Sequence, residues 1–419
     1  MGGAPVDTGL TDSAAPLPVA DPSAPTGSQA VAASASGRAL TSVLVDEGAV
    51  VRVDLDTGER SLLVTGDQPT RVARFGGALV VSLRGARALA VLSADGPLVE
   101  ERRVEVGAEP VGLVAARDGG HLYVALYGSD EVVELDASLQ VTRRIPVGGR
   151  PSWLALHPGG RWLAVGAQIG GVVSVIDLEL EQPVPSSLPL PGLFIPDRED
   201  GDRPLSVRVT GDLSFSEDGA QLAAPLLYVD NTAVPNHTAE EALERDPAER
   251  YQRIGLGLSP NNPVVALWST GDGGAVEPAS VLLRNAVGEA PTGVDGATLV
   301  ARSFLSGVVF SPDGALVLAP MESGAAVVAL PTSPAAPLEA GEGLASAGGL
   351  WLGAGAGARG LAVLAEDDVW VYNFIDATLQ QLPADALDAA AATGGGPVRA
   401  QGRAGAPVAL LEPADGVQL

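Results

Sequence analysis

The chain has 419 residues and a formal charge of −26, every basic residue is arginine, and there is no cysteine. Without cysteine there are no disulfides, cysteine-bound zinc, iron–sulfur clusters, thiol catalysis or C-x-x-C-H attachment of a c-type haem. The acidity argues against nucleic acid and anionic membranes, both of which need basic patches, and no apolar run reaches the roughly 18 residues of a membrane-spanning helix.

Residues 1–37 are rich in Ala, Pro, Ser and Gly and show no period of 2 or 3.6. Such a segment buries too little apolar surface to offset its ordering entropy, so the reading is a disordered tail. Tails of this kind follow a cleaved secretory or lipoprotein leader, which gives the expectation of a periplasmic, outer-membrane-associated or secreted bacterial protein. The alternative is a cytosolic N-terminus.

From residue 38 short β-branched runs alternate with Gly/Asp/Pro turns. Gly66-Asp-Gln-Pro69, Gly107-Ala-Glu-Pro110 and Gly148-Gly-Arg-Pro151 share the form G-x-x-P, with their prolines 41 residues apart. After each comes the same order: apolar strand, tight turn, apolar strand, turn, strand ending in Asp, return strand. A period near 40 with about four strands per repeat is the signature of a β-propeller blade. Asp-Gly at 118–119, 218–219 and 313–314, with Pro158-Gly159, are expected to supply the positive φ of the hairpins.

Seven units follow, near 38–69, 70–110, 111–151, 152–205, 206–302, 303–343 and 344–402. The expected fold is all-β: one seven-bladed propeller of four-stranded antiparallel blades over 38–416. The first unit shows only three strands, and "GAPVALLEPADG" (405–416) resembles the opening of a repeat. Ring closure is therefore expected from the C-terminus, with Pro407–Leu411 as the innermost strand of blade 1 beside Ala39–Val45.

Blade 5 carries an insertion, 230–262, with a helix predicted over Thr238–Tyr251, capped by Thr238 with Glu241 three residues on. A second irregular stretch, Pro189–Pro204, contains "PDREDGDRP". Insertions in repeat proteins cluster on one face, often the binding face.

Phe310-Ser-Pro-Asp-Gly314, Val173-Ser-Val-Ile-Asp177 and Gly148-Gly-Arg-Pro151 make the chain similar to bacterial YVTN-type β-propellers. "PDREDGDRP", "PLLYVDN" before the insertion, "NPVVALWSTGDG" after it, and "DVWVYNFIDATLQQL" (368–382) resemble the propeller region of secreted MauG-like di-haem cytochrome peroxidase proteins. The haem module of that family needs C-x-x-C-H, so the resemblance implies an extracytoplasmic docking or scaffold role and no peroxidase chemistry.

Each candidate site has a plain structural alternative. Asp197, Glu199, Asp200 and Asp202 place hard oxygens close together, as Ca²⁺ requires; the alternative is a solvated loop neutralised by Arg198 and Arg203. His237 would need Asp230 or Glu240 to hold a metal. His121 and His157 read as strand-edge and turn residues, the latter in the Ser position of an "SPDG"-like turn. Asp230, Asn231 and Asn373 are the candidates for a metal-dependent site of the propeller lactonase type. Trp153, Trp162, Trp268, Trp351 and Trp370 read as packing between blades, or as a channel ring for a ligand. Gly353–Gly360 and Gly394–Gly396 lack the Lys-Ser/Thr of a phosphate loop.

The functional expectation is a non-enzymatic binding or scaffold propeller that meets a protein partner or small ligand through one face, with Arg198, Arg203, Arg208, Asp230, Asn231, His237, Glu240 and Arg250 at the interface. No cofactor is expected apart from Ca²⁺ at the acidic loop. The alternatives are a lactonase-type hydrolase, and the docking half of a redox system whose haem protein is a separate chain.

Overall fold

The computed structural model describes residues 21, 24–195, 203–229, 261–286, 288–291, 298–301, 304–322, 325–333, 350–365, 368–391 and 398–411. Seven sheets each run outward from the centre as strands a, b, c and d, joined mostly by tight turns. Blade 1 is Val31–Ala33, Ala39–Leu44, Ala49–Asp54 and Arg60–Val64; blade 2 is Pro69–Phe75, Ala78–Leu83, Ala88–Ser93 and Glu100–Glu105. Blade 3 is Pro110–Ala115, His121–Leu126, Glu131–Asp136 and Val141–Pro146; blade 4 is Pro151–Leu156, Trp162–Ala167, Val172–Asp177 and Ser186–Leu188.

In blade 5 the inner strand comes in two pieces, Ser206–Val209 and Ser214–Phe215, followed by Gln221–Val229, Asn261–Ser269 and Leu282–Asn285. Blade 6 is Val309–Phe310, Leu316–Met321, Ala326–Pro331 and Leu350–Gly353; blade 7 is Ala358–Ala365, Asp368–Asn373, Thr378–Gln381 and Val408–Ala409. The a–b and c–d turns lie on one face, here the a–b face; the b–c turns and the links between blades lie on the other, the b–c face.

Strands a to c are apolar because both blade faces pack on neighbours; Phe75, Leu89, Leu113, Leu122 and Leu135 form one such seam between blades 2 and 3. The d strands alternate, as Glu100–Glu105 does, because one side meets water. Arginine forks tie successive blades. Arg52 donates to the Gly96 and Ser93 carbonyls at 2.6 and 2.7 Å, and Arg143 to those of Leu178 and Leu180 at 3.1 and 3.0 Å. Arg284 reaches the Thr332 carbonyl at 3.2 Å. All three serve the c–d turn of the next blade, a task suited to a planar group with five donors.

The ring closes differently from the sequence expectation. Val31–Ala33, inside the stretch read as tail, is the inner strand of blade 1, with Val31 opposite Ser42 and Ala33 opposite Leu40. That edge is therefore taken, and Val408–Ala409 pairs instead with Thr378 and Leu379 as the outer strand of blade 7. Among the described residues no strand is exchanged between the two blades. They are joined by apolar packing that includes Leu40, Val43, Tyr372, Leu379 and Leu410, and by the Tyr372 hydroxyl, which donates to the Val43 carbonyl at 2.9 Å. Burial pushes the Tyr372 phenol well up.

Blade 6 is widened. Val398–Arg403 runs parallel to Leu350–Gly353, and the hairpin of Gly288–Pro291 with Thr298–Ala301 adds beyond it, giving a seven-stranded sheet. A short helix, α1 (Ala384–Ala391), buries Ala386, Leu387 and Ala390 against blades 6 and 7. It follows Pro383, is rich in Ala, and was not expected from sequence. Thr238–Tyr251 lies outside the described residues. The "SPDG"-type turns use Gly119, Gly219 and Gly314 at φ 72°, 72° and 70°, whereas in blade 4 the left-handed residue is Gly160, one beyond the expected pair.

Candidate functional site: the central channel

Blade 5 places the first functional group. Between Val209, opposite Leu226, and Ser214, opposite Ala223, four residues face two, so Thr210–Leu213 bulge out of the ladder. A bulge re-aims side chains. The Thr210 hydroxyl donates to the Leu305 carbonyl at 2.7 Å, and the Asp212 amide donates to that of Ser306. Gly211 sits against the Ser306 backbone, where any Cβ would collide.

The inner half of the channel is occupied by the chain itself. Residues 24–30 precede blade 1, run antiparallel to the inner strand of blade 4 with Gly27 opposite Ala155, and then turn into Val31–Ala33. The Ser28 amide donates to the Leu154 carbonyl at 2.9 Å, and Gln29 accepts from the Val72 amide of blade 2. Thr26 Oγ1 lies 2.8 Å from Ser214 Oγ, donates to the Phe215 carbonyl at 2.7 Å and accepts from the Phe215 amide at 3.1 Å. Gly27 has no room for a Cβ, which would run into the Leu213 carbonyl oxygen.

Asp212 fastens this segment. Its carboxylate accepts from Ser28 Oγ at 2.8 Å and from Arg71 Nε of blade 2, at 3.1 Å to Oδ1 and 2.9 Å to Oδ2. The side chains of Arg71 and Asp212 are only 10% and 6% exposed, so the ion pair lies out of water. Burial pushes the Asp212 carboxyl up, while Arg71, Ser28 and the charge of Arg359 draw it down.

The outer half of the channel is a cavity of ≈ 340 Å³ opening on the a–b face. Its walls include Val72, Val114, Phe215, Phe310, Leu361 and Leu364, and Thr26, Gly27 and Gln29 also line it. Two ion pairs stand in the wall: Arg74 Nη1 to Asp21 Oδ2 at 2.9 Å, and the fork of Arg117 on Glu217 at 2.7 and 2.6 Å. Arg117 Nε also donates to the Ala24 carbonyl at 3.2 Å. Ser311 donates to Asp313 Oδ1, which also accepts from the Ala315 amide. The described wall thus mixes apolar surface with charges that are already paired, and its hydroxyls serve turns or the inserted segment.

Of the residues expected at the interface or in the acidic loop, only Arg208 can be placed with its side chain. It is exposed in the inner strand of blade 5, toward the b–c face. Arg203 lies in a two-residue ladder, opposite Ile195. Arg198, Asp230, Asn231, His237, Glu240 and Arg250 lie outside the described residues, as do Asp197, Glu199, Asp200 and Asp202. The connections that hold them leave from the b–c face: 189–204 links blade 4 to blade 5, and 230–260 joins strands b and c of blade 5. The cavity is on the opposite face.

Asn373 is not a channel residue. It donates to Thr378 Oγ1 and Gln380 Oε1 within blade 7, at 3.1 and 2.9 Å. His121 sits at a strand start, with Nδ1 2.9 Å from Glu134 Oε1. His157 takes the Ser position of its turn as expected: Nδ1 accepts from the Gly159 amide at 3.0 Å, and the ring packs edge-on to Phe215. Burial draws its pKa down. Trp153 and Trp268 are buried in the seam of blades 4 and 5; Trp162 Nε1 donates to the Gly273 carbonyl and Trp370 Nε1 to Asp368. Among the described residues no three His, Asp or Glu side chains are grouped for a metal, and no helix is long and apolar enough to cross a membrane.

Sequence reasoning missed residues 24–30, Arg71 and Asp212. One signal was available. At the position after the G-x-x-P proline plus one, blade 2 has Arg71 where blades 3 and 4 have Gly112 and Trp153, an inward charge needing a partner.

No protein-family model and no curated protein matches this sequence. Solved structures do resemble it. Hydrazine synthase of Kuenenia stuttgartiensis matches with a TM-score of 0.61 at 15% identity, covering 92% of this chain and 100% of that one. A protein of unknown function from Desulfotomaculum acetoxidans matches at 0.52 and 12% identity, covering 86% and 98%. A Bacteroides uniformis protein described as a candidate 6-phosphogluconolactonase matches at 0.47 and 13%, covering 72% and 80%. Identities this low speak to architecture alone, and on that the similarity and the blade topology agree: this chain is a seven-bladed β-propeller.

Proposed function

We propose that this propeller is a non-enzymatic binding protein that receives a small ligand, or a protruding part of a protein partner, in the channel mouth on its a–b face. The observation that carries the reading is the self-filled inner channel. With residues 24–30 in place, the accessible concavity is a partly apolar pocket whose described charges are paired, a composition suited to holding a molecule. An extracytoplasmic setting belongs to the same proposal and is supported by the family resemblance.

The test is native mass spectrometry of the protein purified without denaturant, followed by thermal-shift screening of small amphipathic molecules. A ligand should bind the wild type and be lost in Ala33→Phe, which narrows the cavity from a half-buried wall position. Equal binding by both proteins would remove the channel mouth as the site.

A further inference from the structure

We propose that the central channel is a recognition groove for an extended peptide, and that residues 24–30 are a self-ligand filling its inner half. The segment joins blade 1 only at its C-terminal end, where the Ala30 carbonyl accepts from the Val43 amide; before that, its one bridge among the described residues is Gly27 with Ala155 of blade 4. It is held as strand-addition ligands are held. The backbone pairs with an exposed strand edge, through Ser28 N to Leu154 O at 2.9 Å and Leu156 N to Thr26 O at 2.6 Å, and alternate side chains enter specific contacts.

The groove reads a defined chemistry. Two hydroxyls flank a glycine: Thr26 is bonded by Ser214 and the Phe215 backbone, Ser28 by Asp212 and the Leu154 backbone. The glycine is obligatory because the Leu213 carbonyl occupies the space of a Cβ. The receiving groups come from blades 4 and 5, with Arg71 of blade 2 behind Asp212, so they are part of the ring and independent of the occupant. The class of ligand is an extended peptide with a hydroxyl–glycine–hydroxyl core. The open cavity next to it has room for the residues on the N-terminal side of that core.

This deepens the binding reading above. Its test uses the full chain carrying Gly27→Val, which expels the segment, and a fluorescein-labelled peptide of the sequence Ala-Pro-Thr-Gly-Ser-Gln-Ala, read by fluorescence anisotropy. The variant should bind the peptide at least ten-fold more tightly than the wild type, where the tethered copy competes at high effective concentration. A peptide with Val for Gly should not bind. A folded Gly27→Val protein that ignores the peptide overturns the proposal. Should Gly27→Val fail to fold, amide exchange of the wild type decides. Exchange of the Ser28 amide before the blade strands supports a separable ligand. Exchange only with global unfolding makes the segment core and overturns it. Loss of the peptide result with retention of an Ala33-sensitive small ligand would refute the groove and leave the channel-mouth reading standing.

Discussion

The two halves of the channel are walled by the same ring of strands and hold their charges in opposite ways. In the inner half, Asp212 and Arg71 are buried, share one carboxylate with Ser28, and join blades 2 and 5 to the inserted segment. At the mouth, Glu217 is 59% exposed and its bond to Arg117 stands in water's reach. A buried pair is costly to break because the surviving partner is stranded, whereas an exposed pair is worth little. The difference teaches that the inner half is organised for one arrangement and the mouth is free to accept others.

The largest expected effect breaks the inner half. Asp212→Ala leaves Arg71 buried without a partner and should cost about 3–5 kcal/mol in urea unfolding, while Glu217→Ala should cost under about 1 kcal/mol. Equal costs would erase the contrast. Next comes the seam that closes the ring. Tyr372→Phe removes the bond to Val43 O and leaves a buried carbonyl unpaired, for an expected loss of about 1–3 kcal/mol.

A smaller effect sharpens the a–b face. The folded pKa of His157 is below its ordinary value, so the native state binds fewer protons than the unfolded one. Stability should therefore decline as pH falls from about 6.5 through the lowered value, and His157→Asn should remove that component. A variant with an unchanged slope between pH 7 and 5 would assign it elsewhere. The smallest effect concerns the G-x-x-P links. Gln68, Glu109 and Arg150 precede their prolines at φ 54°, 51° and 59°, a left-handed backbone that glycine adopts freely. Gln68→Gly should leave thermal stability equal or raise it by up to about 1 kcal/mol; a clear loss would mean that the side chain contributes.

The regular part of the fold was legible because period and chemistry coincide in it. Blades 2 to 4 follow G-x-x-P with apolar a–c strands, and blades 2 and 3 add a charged d strand, so each boundary carries a turn residue that explains itself. The inner strand of blade 1 was not legible. Val31-Ala-Ala33 is three residues long, sits beside Ala, Ser and Gly, and is fixed by Ser42 and Leu40 across the ladder instead of by its own pattern. The misread closure follows from that omission, since Pro407–Leu411 carries the apolar pattern and the true strand does not. The channel site was hidden for a related reason. Gly27, Asp212 and Arg71 lie up to 185 positions apart and meet only because the ring brings blades 2, 4 and 5 around one axis.

The absence of cysteine offers a direct test of the central claim, that residues 24–30 fill the inner channel. In Thr26→Cys/Ser214→Cys the two new thiols are the only ones in the protein and replace hydroxyls 2.8 Å apart. Under mild oxidation the native protein should form this disulfide intramolecularly, while Thr26→Cys/Ile375→Cys should stay reduced. Native Thr26→Cys/Ser214→Cys that remains dithiol, or cross-links no faster than the Ile375 control, would contradict the placement.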